Sequence, residues 1–321
     1  MNDSFIQQGC VVTGVAGFVG SHLVERLLGL GHEVVGVDNF FSGHRENMAS
    51  FNNHPSFTFL EADIREPDLL ERLVEKHPGL GCCFHLAAVV SVPYSVKHPE
   101  ETMEVNHGAV SRLLRSAVRT GLRNFVFAGS AAEYGDDQRM PLLEEYATEK
   151  TLHPSPYGLA KFLSSKEVAS TPGGVALRFF NIYGPRQDPS SPYSGVISRF
   201  VAMAGQDKPL TIFGDGLQSR DFVHVSDVVD AYIRAGGLTG PENTPPGGIY
   251  NIGTGSSSTI LELAAVVQEI QGSRAGLTFM PERPGDIRHS LAATDRFRAA
   301  AGWNAAMSLR DGLRDTIGRI G

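Results

Sequence analysis

Cys10-Val11-Val12-Thr13-Gly14-Val15-Ala16-Gly17-Phe18-Val19-Gly20 is the stretch whose reading decides the fold. Cys10 to Thr13 reads as a short buried strand, the glycine-spaced segment as a tight turn, and the apolar-periodic run from Ser21 to Leu30 as a helix. Gly14 would make the turn, Gly17 would let the backbone approach a pyrophosphate, and Gly20 would let helix and strand pack closely. Phe18 and Val19 lead into a helix whose N-terminal amides favour a phosphate. The next strand, Glu33-Val34-Val35-Gly36-Val37, ends in Asp38-Asn39, eighteen residues past Gly20, where a carboxylate can accept bonds from an adenosine ribose. That carboxylate repels a ribose phosphate, so NAD is expected ahead of NADP, although Arg45 nearby leaves NADP open.

Further along, Pro156-Tyr157-Gly158-Leu159-Ala160-Lys161 places a phenol and an ammonium four residues apart, on one face of a helix. An unperturbed tyrosine titrates near pH ~10, and a fixed cation beside it is expected to lower that value toward the pH at which a general base works. On its own the spacing occurs on many solvated helices. Downstream of a dinucleotide turn it points to redox chemistry on a hydroxyl.

Between these two segments strand and helix patterns alternate: Phe57 to Leu60 as strand, Leu69 to Val74 as helix, Cys82 to Leu86 as strand. Such alternation predicts an α/β fold, a parallel sheet covered by helices. Val110, Leu113, Leu114, Ala117 and Val118 show helical spacing within 99–120, and Gly121 stands at the C-cap position. The strand Asn124 to Ala128 then runs into Gly129-Ser130-Ala131-Ala132-Glu133-Tyr134-Gly135, at the carboxyl end where doubly wound sheets bind ligands. Past Arg186 the Pro/Ser-rich stretch Asp188 to Gly195 and the Pro/Gly-rich stretch Gly240 to Gly248 read as lobe connections.

The chain has 321 residues, 41% apolar and 20% charged, enough to bury a large core in two lobes and ordinary for a soluble globular protein. No apolar run approaches the ~20 residues of a membrane helix, and the mostly polar first nine residues have no signal-peptide core, so a cytoplasmic protein without a membrane partner is expected. A net charge of -7 and the absence of Lys/Arg clusters argue against a nucleic-acid partner. Cys10, Cys82 and Cys83 fall in predicted strands without metal-ligand spacing, so reduced core thiols and no metal site are expected.

Thr13-Gly14-x-x-Gly17-x-x-Gly20, His85-Leu86-Ala87-Ala88, Ser130, Tyr157-x-x-x-Lys161, Arg178-Phe179-Phe180-Asn181-x-Tyr183-Gly184-Pro185 and Ser219-Arg220-Asp221-Phe222-x-His224-Val225-x-Asp227 together resemble the extended short-chain dehydrogenase/reductase family, specifically its nucleotide-sugar epimerases. The resemblance implies a Rossmann domain over 1–180, with later segments returning to it, and a smaller α/β lobe over 181–321 for a nucleoside-diphosphate sugar. It implies that Asp63-Ile64 contacts adenine, that Leu86, Ala87 and Ala88 line the cofactor cleft, and that Lys161 holds the nicotinamide ribose while tuning Tyr157. Ser130 would bridge Tyr157 and the sugar hydroxyl. Asn181, Arg220 and Arg283 fall where similar enzymes hold the diphosphate, Asp286 where they hold the uridine ribose, and Ser91 and Ser290 near the sugar. Alternatives from the residues themselves are ion pairs of Arg220 with Asp221 and of Arg283 with Glu282, and a capping role for Asn181. His85 and His224 read as core histidines.

In the family's dehydratases and decarboxylases an acidic residue follows the Ser130 position, whereas this chain has Ala131-Ala132, and a methyl group cannot shuttle a proton. Epimerisation at C4 of a UDP-hexose through a 4-keto sugar is therefore expected, with a dehydratase or reductase as the rival. Glu133 departs from the small or aliphatic residue usual before Tyr134-Gly135. It is read as outward-facing, with the alternative that it reaches the reacting centre and revives elimination. Ser91-Val92-Pro93-Tyr94-Ser95 and Arg283-Pro284-Gly285-Asp286-Ile287-Arg288-His289-Ser290 resemble epimerases of N-acetylated UDP-hexoses, and Ser290 stands where a bulky tyrosine closes the pocket of glucose-restricted relatives. UDP-glucose and UDP-galactose are the expected substrates, UDP-N-acetylglucosamine is expected to be accepted alongside them, and UDP-glucuronate is the alternative if Arg288 or Arg186 pairs with its carboxylate. A homodimer through two helices per subunit is also expected. Its Tyr157 helix should be about a turn short, because only seventeen residues run from Lys161 to Arg178.

Overall fold

A parallel strand covered on both faces has no solvent side to alternate with, so its residues form an unbroken apolar run. The computed structural model describes residues 8–188, 195–283 and 286–319, and shows such runs at the centre of its sheet. The polar start at 1–7, most of the Asp188 to Gly195 stretch and Pro284-Gly285 lie outside the described residues. The first half runs β1 (Gly9–Thr13), α1 (Phe18–Gly29), β2 (Val34–Asp38), β3 (Phe57–Glu61), α2 (Leu69–Lys76), β4 (Leu80–His85), α3 (Val92–Lys97), α4 (Pro99–Met103), α5 (Ala109–Thr120), β5 (Asn124–Ser130), α6 (Pro156–Ala169) and β6 (Gly174–Phe179). The second runs β7 (Asn181–Tyr183), α7 (Val196–Ala204), β8 (Leu210–Phe213), β9 (Ser219–Arg220), β10 (Phe222–His224), α8 (Val225–Ala235), β11 (Gly248–Ile252), β12 (Ser258–Thr259), α9 (Ile260–Gln271), β13 (Leu277–Met280), β14 (His289–Ser290), α10 (Asp295–Ala301) and α11 (Leu309–Gly318).

Seven parallel strands pair in the order β11-β6-β5-β4-β1-β2-β3, the Rossmann arrangement. The chain leaves β1 toward β2 and β3 and re-enters on the other side as β4. The crevice beyond the carboxyl ends of β1 and β4 is thus the switch point of the sheet. One face packs Val12, Leu23, Leu27, Val228, Tyr232 and Trp303, the other Val11, Leu70, Leu113, Phe125 and Phe127. Removing a buried ring such as Trp303, which is 1% exposed, costs ~3–5 kcal/mol. A separate core of Ile197, Phe200, Leu210, Leu263 and Val267 joins α7, β8 and α9 into the smaller lobe.

Three local readings shift. The first helix begins at Phe18 rather than Ser21, because Gly17 is extended (φ -77, ψ 171) and already stands at the N-cap. The helical pattern of 99–120 is interrupted by a π-turn at Glu104–Gly108, where the Asn106 side chain turns to bond both Val89 N and Val89 O at 2.8 Å. Gly240 to Gly248 does not connect the lobes: it joins α8, which packs on α1, to β11 at the edge of the large sheet.

Candidate active site

Gly14 has φ +77, and a side chain there would meet Ala87 N at 2.9 Å. A Cβ at Gly20 would run into the Gly14 carbonyl, so the turn admits only hydrogen at both positions. Thr13 Oγ1 accepts from Leu86 N (3.1 Å) and Ala87 N (3.2 Å), which ties the ends of β1 and β4 together across the switch point. Among the described residues no side chain caps the N-terminus of α1 at Gly17, so its first amides are suited to a phosphate.

Asp38 Oδ2 accepts from Ala16 N (2.9 Å) and Oδ1 from Phe40 N (2.8 Å), so the strand end and the glycine turn hold one carboxylate in place. Burial pushes its carboxyl upward against those bonds. Asn39 Nδ2 donates to Asp63 Oδ2 (3.1 Å), bringing the second acidic residue and its buried neighbour Ile64 to the same end of the cleft. Arg65 holds the Asp63 carboxyl down to about 2. Arg45, the cation that left NADP open, donates to Glu61 at 2.7 Å and stacks 4.0 Å over Phe40. The residues present fit NAD.

Ser155 Oγ accepts from Gly158 N (3.2 Å) and Pro156 occupies the first position of α6, which fixes the start of the helix and with it the facing of Tyr157 and Lys161. Lys161 is 3% exposed; its Nζ donates to Ala128 O (2.7 Å) and lies 4.7 Å over Phe127 and 5.9 Å over the Tyr157 ring. Burial brings its ammonium down to about 8, opposed by the charge of Glu133. The expected lowering of the Tyr157 phenol is not what this arrangement yields. Burial raises it, the Ser130 hydroxyl lowers it and Glu133 raises it further, while the ammonium is turned to the Ala128 carbonyl. His85 is fully buried with Nδ1 2.8 Å from Thr13 Oγ1, and burial brings it to about 3, which keeps it neutral and structural.

Ser130 opens onto a cavity of about 190 Å³ walled by Ala131, Ala132, Phe180, Asn181, Arg220 and Ser290 among others. Asn181 Nδ2 donates to Asp221 O at 3.2 Å. Arg220 does not pair with Asp221: its Nη2 donates to Asp286 Oδ1 at 2.9 Å, and Asp221 is buried under bonds from Thr254, Gly255 and Ala292. Arg283 lies 3.6 Å over the Phe213 ring rather than beside Glu282. The Ser91 hydroxyl caps α3 by accepting from Tyr94 N at 2.9 Å, and Ser91 is not among the residues that wall this cavity. A wider cleft between α1, α8 and α11, about 500 Å³, shares no residue with this one.

Glu133 is the clearest correction. It is 0% exposed rather than outward-facing, because the chain leaves β5 in a 3-10 turn instead of continuing as strand. Its Oε1 accepts from Ser130 N (2.9 Å) and Ser165 Oγ (2.8 Å), and its Oε2 from Arg178 Nε (2.5 Å).

The model of the NAD dependent epimerase/dehydratase family matches residues 10–253. The chain belongs to that family. It is an enzyme of the UDP-sugar epimerase/dehydratase group with NAD as cofactor. It is 36% identical over 322 residues to a UDP-glucose 4-epimerase of Mycolicibacterium smegmatis, covering 96% of each chain. UDP-glucuronic acid decarboxylase 4 of Arabidopsis thaliana is 35% identical over 94% of this chain and 66% of its own longer one. Among solved structures, the UDP-N-acetylglucosamine 4-epimerase of Methanobrevibacter ruminantium in complex with UDP-N-acetylmuramic acid superposes with a TM-score of 0.87 at 33% identity, over 98% of both chains.

Sequence reasoning missed two parts of this family member's site. Arg178 stands in an otherwise apolar buried strand, and a lone charge at such a position was the available sign of a buried partner. Asn106, whose amide fixes the backbone just after the Ala87-Ala88 segment, gave no sign beyond being polar in a helical run.

Proposed function

We propose that the chain is an isomerase that interconverts UDP-hexoses differing at C4, with NAD as a resident hydride acceptor and donor. The observation that carries this reading is the set of groups around Ser130. A hydroxyl at the cavity wall bonds the half-buried Tyr157 phenol, the buried Lys161 stands one turn further along the same helix, and the positions after Ser130 are Ala131 and Ala132. Tyr157, as phenolate, takes the proton of the 4-hydroxyl directly or through Ser130 and becomes the phenol, and the positive charge of Lys161 favours the phenolate from which the step starts. Glu133 is fully buried with both carboxylate oxygens bonded, and Asp137, the acid on the cavity wall, is paired with Arg139, so neither carboxylate is placed as a free acid for eliminating water or carbon dioxide.

Neutral hexoses suit the cavity better than uronates. Arg288 is bonded to both oxygens of Asp215 (2.7 and 2.8 Å) and Arg186 to Glu25 (2.7 Å), and neither lies on the cavity wall. Ser290, 6% exposed, is the small residue at that wall, which supports acceptance of an N-acetylated sugar alongside glucose and galactose. Arg220, Arg283 and Asn181 hold the diphosphate in this reading, with Asp286 on the uridine ribose, because a guanidinium fork matches two phosphate oxygens. The same reading makes the enzyme a cytoplasmic homodimer paired through α5 and α6, where Val118 and Leu159 are exposed.

UDP-glucose, UDP-N-acetylglucosamine and UDP-glucuronate, each given to the purified protein without added cofactor and followed by the anomeric proton signals, test the proposal. Both C4 epimers are expected from the two neutral sugars. A pentose or deoxy product, or turnover confined to the uronate, overturns it.

A further inference from the structure

We propose that Glu133 is a positioning residue of this reaction, tying the end of β5 to α6 through Ser165 and to β6 through Arg178 while its charge faces Ser130, Tyr157 and Lys161 from beneath. The inference rests on those three groups carrying the chemistry.

The geometry is that of a built site. Glu133 and Arg178 are 0% and 1% exposed, and each of the three bonds to the carboxylate comes from a different element. Gly129 makes room for it, since a Cβ at that position would stand 2.8 Å from Glu133 Oε1. Arg178 Nη1 is fixed in turn by Glu144 O (2.7 Å) and Tyr134 OH (3.3 Å). Burying such a pair is costly, and apolar residues of similar volume often serve stability as well or better. A role in stability alone is therefore a weak reason for the pair. Its position supplies another: the carboxylate bonds the backbone amide of Ser130 and the hydroxyl one turn beyond Lys161, so it sets the separation of the reacting groups.

Its charge acts on the same groups. The titratable and charged neighbours are Arg178 on β6, Tyr157 and Lys161 on α6, His153 just before α6, Tyr134 and Glu144 in the turns after β5, and His85 on β4 beyond Lys161. Glu133 raises both the phenol and the ammonium, and against the burial of Lys161 it favours the charged form that the phenolate needs.

The test compares the holoenzyme with Glu133→Gln and with the neutral double variant Glu133→Gln/Arg178→Met. The amide can keep the acceptor for Ser130 N but loses the charge. In Glu133→Gln both limbs of the bell-shaped kcat profile against pH, measured with UDP-glucose, should slide toward acid, because base and ammonium both titrate earlier, and in the double variant they should slide the same way by less, because the guanidinium charge has gone too. The double variant covers the case in which the single one, left with an unpaired guanidinium, does not fold. Ultraviolet difference titration of Tyr157 against the Tyr157→Phe protein reads the same shift without turnover. If the protein does not epimerise, that titration still moves toward acid and the positioning role stands. If variants change only in melting temperature and rate, with the phenol titration and both limbs of the profile in place, Glu133 is structural and the proposal fails.

Discussion

The seven-stranded domain and the smaller lobe hold their buried and half-open ion pairs in opposite ways. Under β5, Glu133 and Arg178 are sealed from water and every oxygen of the carboxylate is bonded. Across the cleft, Arg220 and Asp286 meet with side chains 14% and 34% exposed, and Arg288 and Asp215 with 41% and 51%. A sealed pair is strong scaffolding because removing one partner strands the other charge in a low-dielectric interior. An open pair can exchange its partner for a ligand at little cost, since water solvates whatever is released. The proposed reaction would use both: fixed geometry where proton and hydride would move, and exchangeable cations where a diphosphate would enter and leave.

The largest effect should fall on the sealed side. Tyr157→Phe removes the base and is expected to lower kcat by at least ~10²–10⁴-fold, while stability and NAD retained through gel filtration stay near the parent's. Unchanged turnover would remove the phenol from the mechanism. Next comes Arg178→Met alone, which leaves Glu133 buried with no cation and should cost ~3–5 kcal/mol in urea unfolding. A loss under ~1 kcal/mol would mean that water reaches the pair and that the contrast between the two regions is false.

The sheet and the cofactor turn were legible because their signals are local. Unbroken apolar runs, glycines at fixed spacing and Asp38 at a strand end are each set by a few consecutive residues, and all reappear in the structure. Tyr157 and Lys161 were legible for the same reason, as one turn of one helix. What was not legible depends on tertiary enclosure. The sign of the shift at Tyr157 follows from how deeply α6 is covered, and the facing of Glu133 follows from a turn that replaces one more residue of strand. Arg220 and Arg283 were assigned to a ligand from their motif, but their partners Asp286 and Phe213 lie dozens of residues away in sequence. No spacing rule reaches that far.

On the open side, Arg220→Ala should act on binding rather than on the fold. Bonds between charged groups are worth ~1.5–3 kcal/mol, so KM for UDP-glucose is expected to rise about 10–100-fold with kcat and the unfolding midpoint little changed. A collapse of kcat at saturating substrate would instead place Arg220 among the groups that organise the reacting sugar.

Arg288→Gln should have the smallest effect, and it separates two substrate classes. Its guanidinium is half-exposed and bonded to both oxygens of Asp215, whose carboxyl it holds down to about 2. A depressed carboxyl contributes stability above the ordinary Asp range and loses it only as pH falls toward that lowered value, so near neutral pH the stability difference between variant and parent should not vary with pH. At such exposure the pair itself is screened by salt, and the thermal midpoint is expected to stay within measurement error at ordinary ionic strength. Because Arg288 does not reach the cavity wall, the ratio of kcat/KM for UDP-glucose to that for UDP-glucuronate should also be unchanged. A selective loss of uronate turnover would show that Arg288 leaves Asp215 to meet a sugar carboxylate, and the open side would then select the sugar as well as anchor its diphosphate.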